Sequence, residues 1–131
     1  MFRGTYTALV TPFKNDEFDY EAFARLIETQ IAAGITGIVP VGTTGESPTL
    51  SHAERRQVIE LAVQTARRRC QVIAGTGSNS TRDAIAHTRE AEQIGVDGAL
   101  LVAPYYNKPS QEGLFQHFAA IAEATSLKLL L

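Results

Sequence analysis

The sequence predicts an α/β chain of repeated βα units on a parallel sheet, and three observations lead there. Short apolar runs alternate with longer amphipathic ones along the chain, the pattern of strands joined by crossover helices. Gly34-Ile35-Thr36-Gly37 and Gly95-Val96-Asp97-Gly98 repeat one device two units apart, a glycine that ends a helix and an apolar residue that turns into the next strand. Loops rich in glycine and hydroxyl groups follow the apolar runs, as Gly42-Thr43-Thr44-Gly45-Glu46 and Gly75-Thr76-Gly77-Ser78-Asn79 do.

Each element has a local cause. The first strand falls near 6–10, Tyr-Thr-Ala-Leu-Val, and the first helix runs from Tyr20 to Ala33, with Asp19 as N-cap and Gly34 as stop. Phe23, Leu26, Ile27 and Ile31 recur at helical spacing and give that helix its buried face. The second strand is Gly37 to Val41. The second helix opens on the capping box Ser51-His52-Ala53-Glu54, continues to about Arg68, and turns Val58, Ile59, Leu61 and Ala62 inward. Arg67-Arg68-Arg69 then sets positive charge against its C-terminal dipole. The third strand is Gln71 to Ala74, and its helix is capped by Ser80 or Thr81; the fourth strand is Ala99 to Val102, with a helix starting near Ser110; Leu127 to Leu131 begins a fifth strand.

Such units build either a doubly wound sheet or a (β/α)8 barrel, and in both the chemistry collects in the loops after the strands, here 11–17, 42–50, 75–80 and 103–109. Eight units need roughly 250 residues. On the barrel reading, residues 1–131 are one domain holding about the first half, four βα units and a fifth strand, with unpaired sheet edges. A fragment, a truncated reading frame or a self-pairing half-barrel each accounts for that ending.

Composition narrows the function classes. Twelve basic residues stand against fourteen acidic, for a formal charge of −2, which gives no electrostatic reason to expect nucleic acid or an anionic membrane surface. No stretch has the layout of a signal peptide, and no apolar run approaches the roughly 20 residues of a membrane span. Cys70 is the one cysteine, so an intrachain disulfide is excluded, and a buried structural thiol in a reducing, cytoplasmic setting is expected. His87 and His117 fall within helices and no two histidines have zinc-ligand spacing. The Gly75-Thr76-Gly77 turn lacks the third glycine of a dinucleotide fingerprint, because Ser80 stands at that place.

Two loops carry the candidate chemistry. Gly42 to Glu46 puts two adjacent hydroxyls between glycines, a composition suited to cradling a small carboxylate. Pro104-Tyr105-Tyr106-Asn107-Lys108-Pro109 holds two phenols in a stiff segment, and a phenol bonded to another hydroxyl can relay a proton.

Together with Gly75-Thr76-Gly77-Ser78-Asn79, Val10-Thr11-Pro12-Phe13 and the continuation Ser110-Gln111-Glu112-Gly113, these motifs resemble the dihydrodipicolinate synthases, within the wider group of pyruvate-dependent aldolases and lyases on a (β/α)8 barrel. The resemblance covers the whole chain but fewer than half of that family's residues. It implies condensation of pyruvate, held as a Schiff base with a lysine, with aspartate 4-semialdehyde in lysine and diaminopimelate biosynthesis, by a cytoplasmic homo-oligomer needing no metal or organic cofactor. Residue by residue, it implies that Thr43 joins a proton relay with Tyr106, contributed across a dimer interface, and that Thr44 holds the pyruvate carboxylate. A lysine effector site is implied at His52, Asn79, Asp83 and Tyr105, with Arg55 where inhibited members commonly have histidine and Asp83 where they have glutamate.

The chain departs from the family in one respect that governs activity. Its only lysines are Lys14, Lys108 and Lys128; none matches the Schiff-base lysine, which the resemblance places on a sixth strand. The 131-residue chain alone is therefore expected to be inactive. The alternatives are another pyruvate-dependent aldolase, such as one acting on a 2-keto-3-deoxy sugar acid, and a non-catalytic half-barrel with an assembly role.

Overall fold

The computed structural model describes residues 2–131. Five strands, β1 (Tyr6–Ala8), β4 (Gly37–Val39), β5 (Gln71–Gly75), β6 (Gly98–Leu100) and β7 (Lys128–Leu130), form one sheet in the order β1-β4-β5-β6-β7, every pair parallel. Between them lie α1 (Tyr20–Ala32), α2 (His52–Ala66), α3 (Thr81–Ile94) and α4 (Gln111–Glu123). The strand order never reverses. Right-handed crossovers then place every helix on the same face, which is barrel topology; a doubly wound sheet would require a reversal.

The core lies between that face and the helices. Leu9, Ile38, Val72 and Ala74 of the sheet pack with Phe23 and Ile27 of α1 and Val58, Ile59 and Ala62 of α2, and a smaller cluster joins Leu101 to Ala84 of α3 and Ile121 of α4. On the other face, residues of the opposite alternation are open in the outer units, where Ala8 is exposed, Val10 is 52% exposed and Val102 40%, while Ile73 in the central strand is fully buried.

All four helices start where a side chain can satisfy orphan backbone donors. Asp19 accepts from Ala22 N, Ser80 from Asp83 N and Ser110 from Gly113 N, while Ser51 and Glu54 complete their capping box in both directions. Of the two candidates for α3, Ser80 is the cap. Helix α2 stops at Ala66, two residues short of the expected end, because Arg67 and Arg68 take left-handed backbone conformations. Arg69 then turns back, donating to the Thr65 and Ala66 carbonyls and pairing with Glu28 of α1. Cys70 is buried, and burial pushes its thiol above its usual range, as befits a structural residue.

Three expectations are corrected. The 11–17 segment is not a plain loop: β2 (Phe13–Lys14) and β3 (Glu17–Phe18) pair antiparallel across Asn15 and Asp16, both at positive φ, as a two-residue hairpin turn demands. The second strand ends at Val39, because Val41 has φ 57° and leaves the sheet. The fourth begins one residue early, at Gly98, and ends at Leu100 rather than Val102.

Candidate active site

Two close backbone approaches bring the C-terminal ends of β4, β5 and β6 together. A Cβ on Gly75 would run into the Val41 carbonyl and lie 2.8 Å from Gly42 N; one on Gly77 would lie 2.6 Å from Val102 N. Only glycine at these positions lets the three loops meet. Between them is a cavity of about 100 Å³, lined in part by Gly42, Thr43, Ser47 and Val102.

Val41 sits in the left-handed region although it is β-branched and 1% exposed, a conformation that costs on the order of 1–3 kcal/mol and needs its surroundings to hold it. This bend starts the 3₁₀ turn Thr43–Gly45. Gly45 N donates to Gly42 O, Glu46 N to Thr43 O and Ser47 N to Gly42 O, so those amides are spent inside the turn. Thr11 Oγ1 donates to Gly45 O at 2.8 Å and ties the turn to the end of the first unit. Thr43 and Thr44 open the turn with both side chains exposed. What the turn can offer a ligand is therefore two hydroxyls and its leading amides, which have no partner within it.

The structure separates the tyrosines that are neighbours in sequence. Tyr106 is 94% exposed with φ 66° and does not rest on Thr43. Tyr105 lines a different cavity, of about 180 Å³, with His52, Arg55, Ser78 and His87. Of the four residues tied to an effector by resemblance, His52 and Tyr105 line that cavity. Asn79 is engaged with Asn107, donating to its Oδ1 at 3.3 Å while Asn107 Nδ2 donates to Asn79 O at 2.7 Å. Asp83 lies 3.6 Å from Arg82 Nε.

Sequence reasoning missed Arg55 as a buried group. It is 6% exposed, donating to Ser47 O at 3.2 Å and Gly75 O at 3.1 Å; burial lowers its pKa, with Glu90 and Tyr105 opposing. The resemblance sets Arg55 among the effector positions, and nothing local signals its burial, which rests on carbonyls 8 and 20 residues away.

The lysines stand away from the cradle. Lys14 is exposed in β2 and Lys108 is an exposed loop residue, while Lys128 opens β7, an edge strand three places from β4, with Nζ 5.7 Å from the centre of the Phe2 ring. No group of three or more His, Cys, Asp or Glu side chains that could hold a metal occurs among the described residues.

Two imidazoles are perturbed. Burial lowers the pKa of His117, whose Nδ1 meets Thr81 Oγ1 at 2.9 Å and whose Nε2 has no partner. His87 is lowered by burial first, then by Arg55 and His52, against Asp83 and the Thr76 backbone. Both are harder to protonate folded than unfolded, so the unfolded chain binds more protons just below the ordinary value of 6.5. Their stabilisation is full above 6.5 and is lost as pH falls through the lower folded values. Urea titrations between about pH 7.5 and 5.5 should show falling stability, with a shallower slope in His117→Gln; an unchanged slope would contradict this assignment.

Comparison with known proteins places this geometry. The family described as the dihydrodipicolinate synthetase family matches residues 1–131. The 4-hydroxy-tetrahydrodipicolinate synthase of Chelativorans sp. (strain BNC1) is 59% identical over 132 residues, which cover 100% of this chain and 45% of that protein. The solved structure of the synthase from Methylacidiphilum fumariolicum SolV superposes with a TM-score of 0.99 at 59% identity, over 100% of this chain and 44% of its own. Dihydrodipicolinate synthase from Aquifex aeolicus gives 0.96 at 50% identity, over 98% and 44%. The chain thus spans less than half the length of the relatives it matches, and its parallel sheet is part of their (β/α)8 barrel.

Proposed function

Because this chain belongs to the dihydrodipicolinate synthetase family, a family of lyases, we propose that residues 1–131 are the N-terminal half-barrel of a 4-hydroxy-tetrahydrodipicolinate synthase and carry its pyruvate cradle. The complete enzyme condenses pyruvate with aspartate 4-semialdehyde in a lysine-forming route. The observation that carries this reading is the Thr43–Gly45 turn, which presents two exposed hydroxyls beside a small cavity at the C-terminal edge of a parallel sheet, where barrels of this class place their chemistry.

In this mechanism a lysine amine outside residues 1–131 adds to the pyruvate ketone, and loss of water gives the imine. Loss of a methyl proton gives an enamine, whose carbon forms the new C–C bond to the aldehyde as its oxygen takes up a proton. Thr44 holds the carboxylate through its hydroxyl. Thr43 passes protons to and from Tyr106 of a second copy, since hydroxyls in a hydrogen-bonded chain move a proton without burying a fixed charge. The outward position of Tyr106 supports delivery across an interface, and hence a homo-oligomer. The proposed enzyme is cytoplasmic, as the resemblance implies; no described helix is long and apolar enough to cross a membrane.

The lysine effector at His52, Asn79, Asp83 and Tyr105 has weaker support. Asn79 and Asp83 have other partners, and Arg55 sets a cation in the cavity where an ammonium ligand would have to sit.

The test is a comparison of substrates on the longest polypeptide that the reading frame encodes. Product should form from pyruvate with aspartate 4-semialdehyde, and cleavage of 2-keto-3-deoxy sugar acids should be slower by orders of magnitude. The reverse preference would select the sugar-acid aldolase.

A further inference from the structure

Tyr106 is held in a conformation that its own side chain does not account for. It is 94% exposed, so its ring packs on nothing within the chain. Its backbone is nonetheless constrained: φ is 66°, and Asn107 N donates to Tyr105 O at 2.8 Å across it. That bond makes Tyr106 the centre of a γ-turn with positive φ, a rare and strained arrangement. Lys108 follows, also left-handed, at φ 48°. A strained loop residue in solvent relaxes unless its surroundings over-determine it.

The restraint is the side chain of Asn107. Its Nδ2 donates to the Asn79 carbonyl at 2.7 Å, and its Oδ1 accepts from Asn79 Nδ2 at 3.3 Å. The carbonyl can only accept, so it fixes which way the Asn107 amide faces, and the second bond agrees with that sense. Asn79 is itself anchored. It stands between Gly77, whose close approach to Val102 N locks the loop after β5 against the end of β6, and Ser80, the N-cap of α3. On the other side Tyr105 is seated in the cavity with Arg55. Tyr106 is thus the one residue between a seated Tyr105 and a clamped Asn107.

We propose that Asn107, through its clamp on Asn79, is the positioning residue that presents Tyr106 to a second copy of the chain. This rests on the relay assigned to Tyr106 and Thr43 in the synthase reading. Because Tyr106 serves the partner's cradle, Asn107 supports catalysis in the other subunit rather than in its own. A phenol that arrives preset avoids the ordering that a mobile loop would undergo on docking, and its distance to the partner hydroxyl is fixed in advance.

Kinetics and mixed oligomers of the longest polypeptide that the reading frame encodes test this. Asn107→Ala, at an exposed residue, should lower kcat by roughly ten- to a hundredfold, the cost of misplacing a reacting group by about an ångström, with KM for pyruvate unchanged. Asn107→Asp should fall as far, because a carboxylate cannot donate to Asn79 O; Asn79→Ala should fall less, because it removes only the longer bond. Asn107→Ala co-expressed with Thr43→Val, under two affinity tags so that only mixed oligomers are collected, should recover about half of the activity across a two-fold interface. One site there pairs an intact Thr43 with a Tyr106 whose clamp is intact. If Asn107 only maintained its own subunit, mixing would recover nothing, and that result would overturn the proposal, as would full kcat or a change in KM alone in Asn107→Ala. Fluorine NMR of fluorotyrosine-labelled protein reads the clamp without substrate. The signal lost in Tyr106→Phe should move or broaden in Asn107→Ala while the other tyrosine signals stay; an unmoved signal would overturn the clamp whatever the activity. Full activity in Thr43→Val alone would instead overturn the relay, and the positioning role with it.

Discussion

Gly75→Ala is expected to destabilise the fold by an amount at the top of the ~1–3 kcal/mol range for overpacking, or more. The added methyl meets backbone, the Val41 carbonyl and Gly42 N, rather than a side chain that could rotate away. Val41 has little freedom to yield, being buried and already in a left-handed conformation. Any retreat of β5 would also strain Gly75 N to Pro40 O, at 2.9 Å, and Arg55 to Gly75 O. Urea unfolding checks this, with Gly113→Ala as the contrast. That residue lies in the first turn of α4, where a Cβ meets nothing closer than 3.4 Å, so alanine should be neutral or stabilising by up to about 1 kcal/mol. Equal losses in the two variants would mean that contact between the loops does not set the site.

Thr43→Val is expected to lower kcat by about 10²–10⁴, the usual yield of a positioned proton-transfer group, with little change in KM for pyruvate. Valine keeps the shape of threonine and removes the hydroxyl, and the side chain is exposed, so stability should hardly move. Thr44→Val should act differently: on the proposed reading its hydroxyl meets the carboxylate throughout the reaction, so KM for pyruvate should rise. Steady-state kinetics on the longest encoded polypeptide separates the two. If both variants shifted only KM, the relay would be wrong while the cradle survived.

Much of this architecture was legible in the sequence because it rests on local chemistry. Asp19, Ser51 and Ser110 cap the expected helices, since a short polar side chain and an amide three residues on are neighbours in any helix start. The alternation of apolar runs gave the parallel sheet. It left barrel and doubly wound order open, because that choice depends on which strands meet, a long-range property that the strand order resolves.

All but one of the misses come from long-range contacts. Val41 closes an apolar run and reads as strand, yet the approach of Gly75 bends it out of the sheet. Nothing local marks Arg55 as buried, since its burial depends on carbonyls 8 and 20 residues away. Tyr105 and Tyr106 are adjacent in sequence but part company, one toward the Arg55 cavity and one into solvent. The hairpin at 13–18 did carry a local signal, the Asn15-Asp16 pair suited to positive φ.

The claim on which the rest depends is that residues 1–131 supply the cradle and relay hydroxyls for pyruvate but not the amine that captures it. Borohydride reduction in the presence of pyruvate, followed by peptide mapping, tests it most directly. The expected result is no adduct on any peptide from residues 1–131, either in this chain alone or within a longer encoded polypeptide, where the label should sit on a lysine elsewhere. A pyruvate adduct on Lys14, Lys108 or Lys128 would contradict it.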